Sequence, residues 1–251
     1  NDVHLVGRSF KYHRPRGIMT SGSEEPNAIV QVNPGTNRTE PNVRATEVEI
    51  YEGLEASSQN CWPSVEFDIG GINNFLSPFF PAGFYYKTFM WPASFWEKYE
   101  FFIRHSAGLG KSPTSSDPDI YDHRNIHCDV LVVGAGISGI LAAKNAAKNN
   151  FKTLLVDEKN ELGGSTIYEN NEFNKIDNKA PSEWLKKEIE ELKNIKNLEI
   201  KTRTSVAAYH QYNYLLAREN LTDHLEAKDK TNKIRQRLLK IRAKKVILAT
   251  G

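Results

Sequence analysis

Cysteine is nearly missing from this chain: Cys61 and Cys128 are the two in 251 residues. They stand far apart, so there is no CxxC pair, no zinc-ligand spacing and no disulfide framework. Each reads as a small buried hydrophobe in a reduced, cytoplasmic protein. No apolar run approaches the roughly 18 residues that a membrane-crossing helix needs, and no secretory signal pattern is present. Excess charge is lacking too: 33 basic residues face 31 acidic ones, a net +2, so no global field selects nucleic acid or a membrane surface. The seven histidines show no metal spacing. No side-chain constellation marks a catalytic acid, base or nucleophile.

What is present divides into three stretches. Residues 1–62 carry short alternating runs and turn residues, with strands expected at 28–32 and 45–51 around an Asn33-Pro34-Gly35 turn. Residues 63–127 form a connector. It is crowded with Phe, Tyr and Trp between prolines 78, 81 and 92, so it reads as loop and short helix, with helical turns at 93–103. These aromatics either fold onto a neighbouring core or meet another subunit, because rows of large rings are costly to leave in water. From 104 to 127 the chain turns polar, loses periodicity and reads as linker. Residues 128–251 alternate strand and helix, with an amphipathic helix at 182–195 and strands at 151–156 and 198–202. Runs at 206–209, 212–218 and 238–242 read as an antiparallel excursion before a strand at 246–249. The charged stretch between them reads as a solvated hairpin loop, since no aromatics interleave its basic residues as a nucleic-acid surface requires.

The most informative residues begin at Cys128. CDVLVVGAGISGILAAKNAAKNNFKTLLVDEK runs as strand, glycine turn, helix, strand and acidic end. That order is the fingerprint of an α/β Rossmann-like domain for an adenine dinucleotide. Gly134 makes the tight turn, Gly136 leaves the backbone open to a pyrophosphate, and Gly139 lets helix pack on strand. Ser138 lies in the helix's first turn, where unpaired N–H groups and the dipole favour anions. Asp157, about 20 residues on, can accept from both ribose hydroxyls and repels a 2′-phosphate, which favours NAD or FAD over NADP. Glu158 is adjacent, and one of the two carboxylates can point at the ribose. A Gly163-Gly164 pair follows, letting backbone pass close to the pyrophosphate. KKVILATG closes the chain with an apolar strand and a small-residue turn. Together these marks resemble the two-dinucleotide flavoprotein family.

The N-terminal strings are more specific. HLVGRSFKYHRPRGIMTSGSEEPNAIVQV, EPNVRATEVEIYEGLEASSQN and PAGFYYKTFMWPASFWEKYE resemble the α subunit of heterotetrameric sarcosine oxidases, over essentially the whole chain. The resemblance implies a ferredoxin-like α+β domain followed by an NAD-holding domain. It also implies partner β, γ and δ subunits, with FAD and amine oxidation on β, FMN between α and β, and a folate-binding region outside these residues. The reaction it implies turns sarcosine, oxygen and water into glycine, formaldehyde and hydrogen peroxide, or passes the one-carbon unit to tetrahydrofolate. By the same pattern, Gly134, Gly136, Ser138 and Gly139 surround the phosphates. Asp157, Glu158 and Lys159 meet the adenosine ribose and base, Gly164 and Ser165 lie beside them, and Val206 lies against adenine. Related amine dehydrogenase subunits hold a [2Fe-2S] cluster in the first domain. Here residues 20–27 contain no cysteine, so no cluster is expected. The basic residues Arg8, Lys11, His13, Arg14 and Arg16 are then either a solvated loop or a contact to the β subunit or an anionic cofactor. With Asn1 at its start and an Ala-Thr-Gly turn at its end, the sequence reads as a fragment. Two alternatives stay open: an FAD-binding subunit of an amine or imino-acid dehydrogenase, and a noncatalytic assembly module with a structural dinucleotide.

Overall fold

The computed structural model describes residues 7–8, 15–16, 29–33, 39–45, 48–59, 61, 63–72, 75, 78, 89, 91–106, 109–110, 113–114, 116–169 and 174–251. Residues 11, 13, 14 and 20–27, and the aromatic run 79–88, lie outside them. Two compact units are present, one of residues 1–118 with 224–231, the other of residues 119–223 with 232–251.

In the first unit, β1 (Gly7–Arg8) pairs antiparallel with β2 (Pro15–Arg16). A separate sheet of β3 (Ile29–Asn33), β4 (Glu40–Arg44) and β5 (Glu55–Ser57) has the order β4-β3-β5, all antiparallel. Period-two burial on β3 puts Val30 and Val32 inside, with Val43, Ala45, Val48 and Leu54 against them. The strand expected at 45–51 falls earlier. Val43 and Arg44 take up the ladder opposite Val30 and Ile29, and the chain after Arg44 keeps Ala45 and Val48 on the cluster without staying in the sheet. After a 3-10 turn at Ala93–Phe95, helix α1 (Trp96–Ser106) forms where the sequence places helical turns.

The second unit is built on one mixed sheet. Its strands are β6 (Ile120–Val133), β7 (Thr153–Val156), β8 (Leu198–Lys201), β9 (Thr204–His210), β10 (Tyr214–Asn220) and β11 (Ile234–Leu248), in the order β8-β7-β6-β11-β10-β9. The first four of that order are parallel, and β10 and β9 return antiparallel. Helices α2 (Ile137–Lys148) and α3 (Pro181–Lys193) connect the parallel strands. They cover Val130, Val132 and Leu155, while Leu131, Val133, Leu154 and Val156 pack with Leu215, Ala217, Leu239 and Ile241. A short helix, α4 (Ala227–Lys230), lies in the connection from β10 to β11 and belongs to the first unit.

Three sequence readings need correcting here. The polar stretch read as linker becomes strand at Ile120, because its charges find partners across the sheet: Arg237 binds Asp122 at 2.8 Å and Arg235 binds Asp119 at 2.8 Å. The runs at 238–242 and 246–249 form one strand, β11, which follows β6 in parallel register from Ile234 to Leu248. Cys128 is buried and Cys61 is half-buried, so only one of the two is the buried hydrophobe expected.

Candidate functional site

The glycine turn lies where the parallel strands end. Gly134 leaves β6 at φ 98°, and its N–H donates to Val156 O at 2.8 Å. A side chain there is excluded twice over: the backbone is left-handed, and a Cβ would stand 2.3 Å from Ala249 O. Ala249 belongs to the Ala-Thr-Gly turn, whose N–H donates to Val133 O at 2.7 Å, so the two ends of the fingerprint brace each other. Gly139 is fixed by packing, since a Cβ on it would meet Gly134 O at 1.8 Å. Gly136 differs: nothing lies within 4 Å of its would-be Cβ. It is the N-cap of α2, so the open space above it faces the unpaired N–H groups of the first helical turn. Ser138 is exposed in that turn.

The Gly-Gly element closes over the same turn. Gly163, at φ 129°, donates its N–H to Ala135 O at 2.7 Å, and the would-be Cβ of Gly164 stands 3.2 Å from Gly136 Cα. Gly164 and the exposed Ser165 open a 3-10 turn, Gly164–Tyr168, beside the loop. Ser165, Thr166, Ile167 and Tyr168 offer no thiol there.

Asp157 follows β7 and is the connecting group. Its Oδ2 accepts the Ala135 N–H at 2.5 Å, and its Oδ1 accepts the Lys159 N–H at 2.8 Å. Its own carbonyl accepts the Thr204 N–H at 2.7 Å, and Lys159 O accepts the Arg203 N–H at 2.8 Å, so the start of β9 is anchored at the same corner. Each carboxylate oxygen keeps a lone pair for a further donor. Glu158 and Lys159 are exposed at this corner. Val206 lies on β9 opposite Ala217, with its side chain partly buried against the cluster of Leu131 and Leu215. Eight of the residues singled out in the sequence, Gly134, Gly136, Ser138, Gly139, Asp157, Glu158, Lys159 and Gly164, thus converge on one corner. Ala135 and Gly163 hold that corner as much as the fingerprint glycines do. Gly163 is legible as half of the Gly-Gly pair, whereas Ala135 acts through its backbone N–H and C=O, which its residue type does not display.

Farther down the sheet, α2 and α3 are clamped by Lys144, 2.5 Å from Glu188 and 2.7 Å from Glu191. Asn150, at φ 65°, supplies the left-handed residue that the helix end requires. A cleft of about 210 Å³ opens beside Cys128, Lys152 and Leu198 at the opposite, N-terminal ends of the strands. Open α/β sheets bind ligands at the carboxyl ends, and burial pushes the Cys128 thiol up to about 11, so that cleft offers no reactive thiolate. Among the described residues no helix is long and apolar enough to cross a membrane.

Residues 129–242 match the family of FAD dependent oxidoreductases, and residues 1–61 match a family of 2Fe-2S iron-sulfur cluster binding domains. The residues present do not fit such a cluster. It takes four thiolate ligands, or two with two histidines, and Cys61 is the one cysteine in the matched span. The L-proline dehydrogenase of P. horikoshii shares the fold, with a TM-score of 0.56 at 18% identity over 99% of this chain and 35% of that one. The sarcosine oxidase subunit alpha of Rhizobium meliloti is 49% identical over the whole chain, and that of Corynebacterium sp. (strain U-96) is 31% identical. The chain spans 25% and 21% of the lengths of these two relatives. Over its whole length the chain is similar to the N-terminal quarter of sarcosine oxidase subunit alpha.

Proposed function

We propose that this chain is the dinucleotide-holding part of the α subunit of a multi-subunit, cytoplasmic sarcosine oxidase, and that NAD lies across the glycine turn. The observation that carries the reading is the convergence of Gly136, Gly164 and Asp157 around open space at the start of α2. The turn and the helix end would take the pyrophosphate, at Gly134, Gly136, Ser138 and Gly139, with Gly164 and Ser165 alongside. The free lone pairs of Asp157 would take the ribose hydroxyls, beside Glu158 and Lys159, and Val206 would border adenine. A carboxylate at the ribose disfavours a 2′-phosphate. When bound, a nicotinamide or flavin ring supplies hydride chemistry; this chain's own residues bind and orient. In this reading amine oxidation proceeds on a β subunit carrying FAD, with FMN between α and β. The γ and δ subunits complete the assembly, and tetrahydrofolate acts at a region outside these residues.

A second reading places FAD in the same corner, favoured by the match of residues 129–242 to FAD dependent oxidoreductases. Denaturing the purified protein and identifying the released nucleotide by mass decides between them. NAD without a visible flavin band upholds the first reading, FAD the second, and no adenine nucleotide overturns both. Asp157→Ala should weaken retention of the nucleotide roughly tenfold to a hundredfold, the loss of one or two charge-assisted hydrogen bonds. Full occupancy in that variant removes Asp157 from the site.

A further inference from the structure

The turn joining β9 to β10 is built to display one side chain. Tyr212 sits at φ 60°, ψ 34°, and Asn213 follows at φ 53°. Left-handed backbone is uncommon for a bulky residue, and glycine or asparagine would take it at less cost. Three hydrogen bonds hold it. Tyr209 Oη donates to Asn213 Oδ1 at 2.7 Å, Asn213 Nδ2 donates to Lys244 O at 3.0 Å, and Arg242 Nη1 donates to Tyr212 O at 3.0 Å. The result is a tyrosine 89% exposed on a fixed turn. The Arg242 guanidinium also lies 5.0 Å from the Tyr214 ring, which has His210 on it at 5.9 Å.

The sheet face around this turn is segregated by charge. Register and burial put Arg218 of β10, Lys240 and Arg242 of β11, and His123 and His127 of β6 on the same outward side. The acids of this part of the sheet, Asp122 and Glu219, face the other way, where Arg237 binds both, at 2.8 and 3.1 Å. In a chain of nearly balanced charge, the outward positions of 123–127, 214–220 and 236–242 carry no carboxylate. Tyrosine and arginine on a rigid support are the residues that dominate binding where surfaces meet.

We propose that this face docks an acidic surface of a partner subunit, with Tyr212 entering an apolar pocket there and Lys240 and Arg242 facing its carboxylates. The inference rests on the reading of the chain as part of a multi-subunit enzyme. The experiment uses the full-length subunit and its co-expressed companion subunits, with assembly measured by analytical ultracentrifugation at low and high salt. Tyr212→Gly keeps the left-handed backbone and should weaken assembly about tenfold or more. Arg242→Glu should weaken it further and remove the salt dependence that the wild type shows. Both variants should keep the wild-type nucleotide content, and Tyr212→Gly, which leaves the three hydrogen bonds of the turn in place, the wild-type melting temperature. Wild-type assembly with both variants neutral overturns the docking face alone. Protection of Tyr212 from hydroxyl-radical labelling in the full-length subunit by itself also overturns it, because the chain's own remainder then covers the turn. A wild-type subunit that joins no companion overturns the multi-subunit reading and the docking face with it.

Discussion

The two larger sheets among the described residues are stabilised very differently. Among the described residues, the three-stranded sheet of the first unit is centred on two buried side chains, Val30 and Val32. The six-stranded sheet of the second carries two buried clusters, one on each face. The first unit also leaves Phe67, Phe75, Trp91 and Phe102 more than half exposed. Burial of apolar area is the main stabilising term in folding, so among the described residues the second unit carries the larger core.

Breaking the stronger half should have the largest effect. Lys144→Ala strands Glu188, which is 5% exposed, without its ammonium partner, and should cost about 3–5 kcal/mol in urea denaturation. An unchanged midpoint would show that α2 and α3 do not depend on the pair. Gly139→Ala forces a Cβ to within 1.8 Å of Gly134 O, and should cost roughly 1–3 kcal/mol while emptying the nucleotide site. Retained nucleotide at wild-type stability would refute the packing role of Gly139. Val32→Ala probes the weaker half. It should cost roughly 1–2 kcal/mol, the loss of two methyl groups from a small core, and calorimetry should show the transition of the second unit unmoved.

The smallest effect concerns pH. The hydrogen bond from the Lys144 ammonium holds the Glu191 carboxyl well below its usual 4.5, at about 2. A folded value below the unfolded one stabilises fully above about pH 4.5, and that contribution fades as pH falls through 2. Glu191→Gln should therefore lower stability slightly above about pH 4.5, flatten the acid limb between 4.5 and 2, and match the wild type below that interval. An identical acid limb in the variant would remove Glu191 from the clamp.

Local chemistry made much of the site readable. Gly134 and Asn150 occupy the left-handed positions their residue types favour, and the apolar runs at β6 and β7 end where the glycine turn and Asp157 begin. The expectations that failed share one cause. The sequence around Ile120 is polar and without period, and it became strand because Arg235 and Arg237, more than a hundred residues later, supply its charges with partners. The strand expected at 45–51 moved because ladder register with β3, not alternation alone, selects which residues pair.

By itself the sequence determined the order of strand, glycine turn, helix and acid, because each rests on a preference of its own residue: glycine's freedom, β-branched stiffness, helical spacing. It also determined that cluster ligation is impossible in the first domain, a matter of donor count. Only the tertiary structure decided that Asp157 ties Ala135 to Lys159, that Ala249 O closes the space behind Gly134, and that Tyr212 stands exposed on a braced turn. Those contacts join backbone groups and side chains distant along the chain, and such meetings are settled by packing, which no local preference encodes.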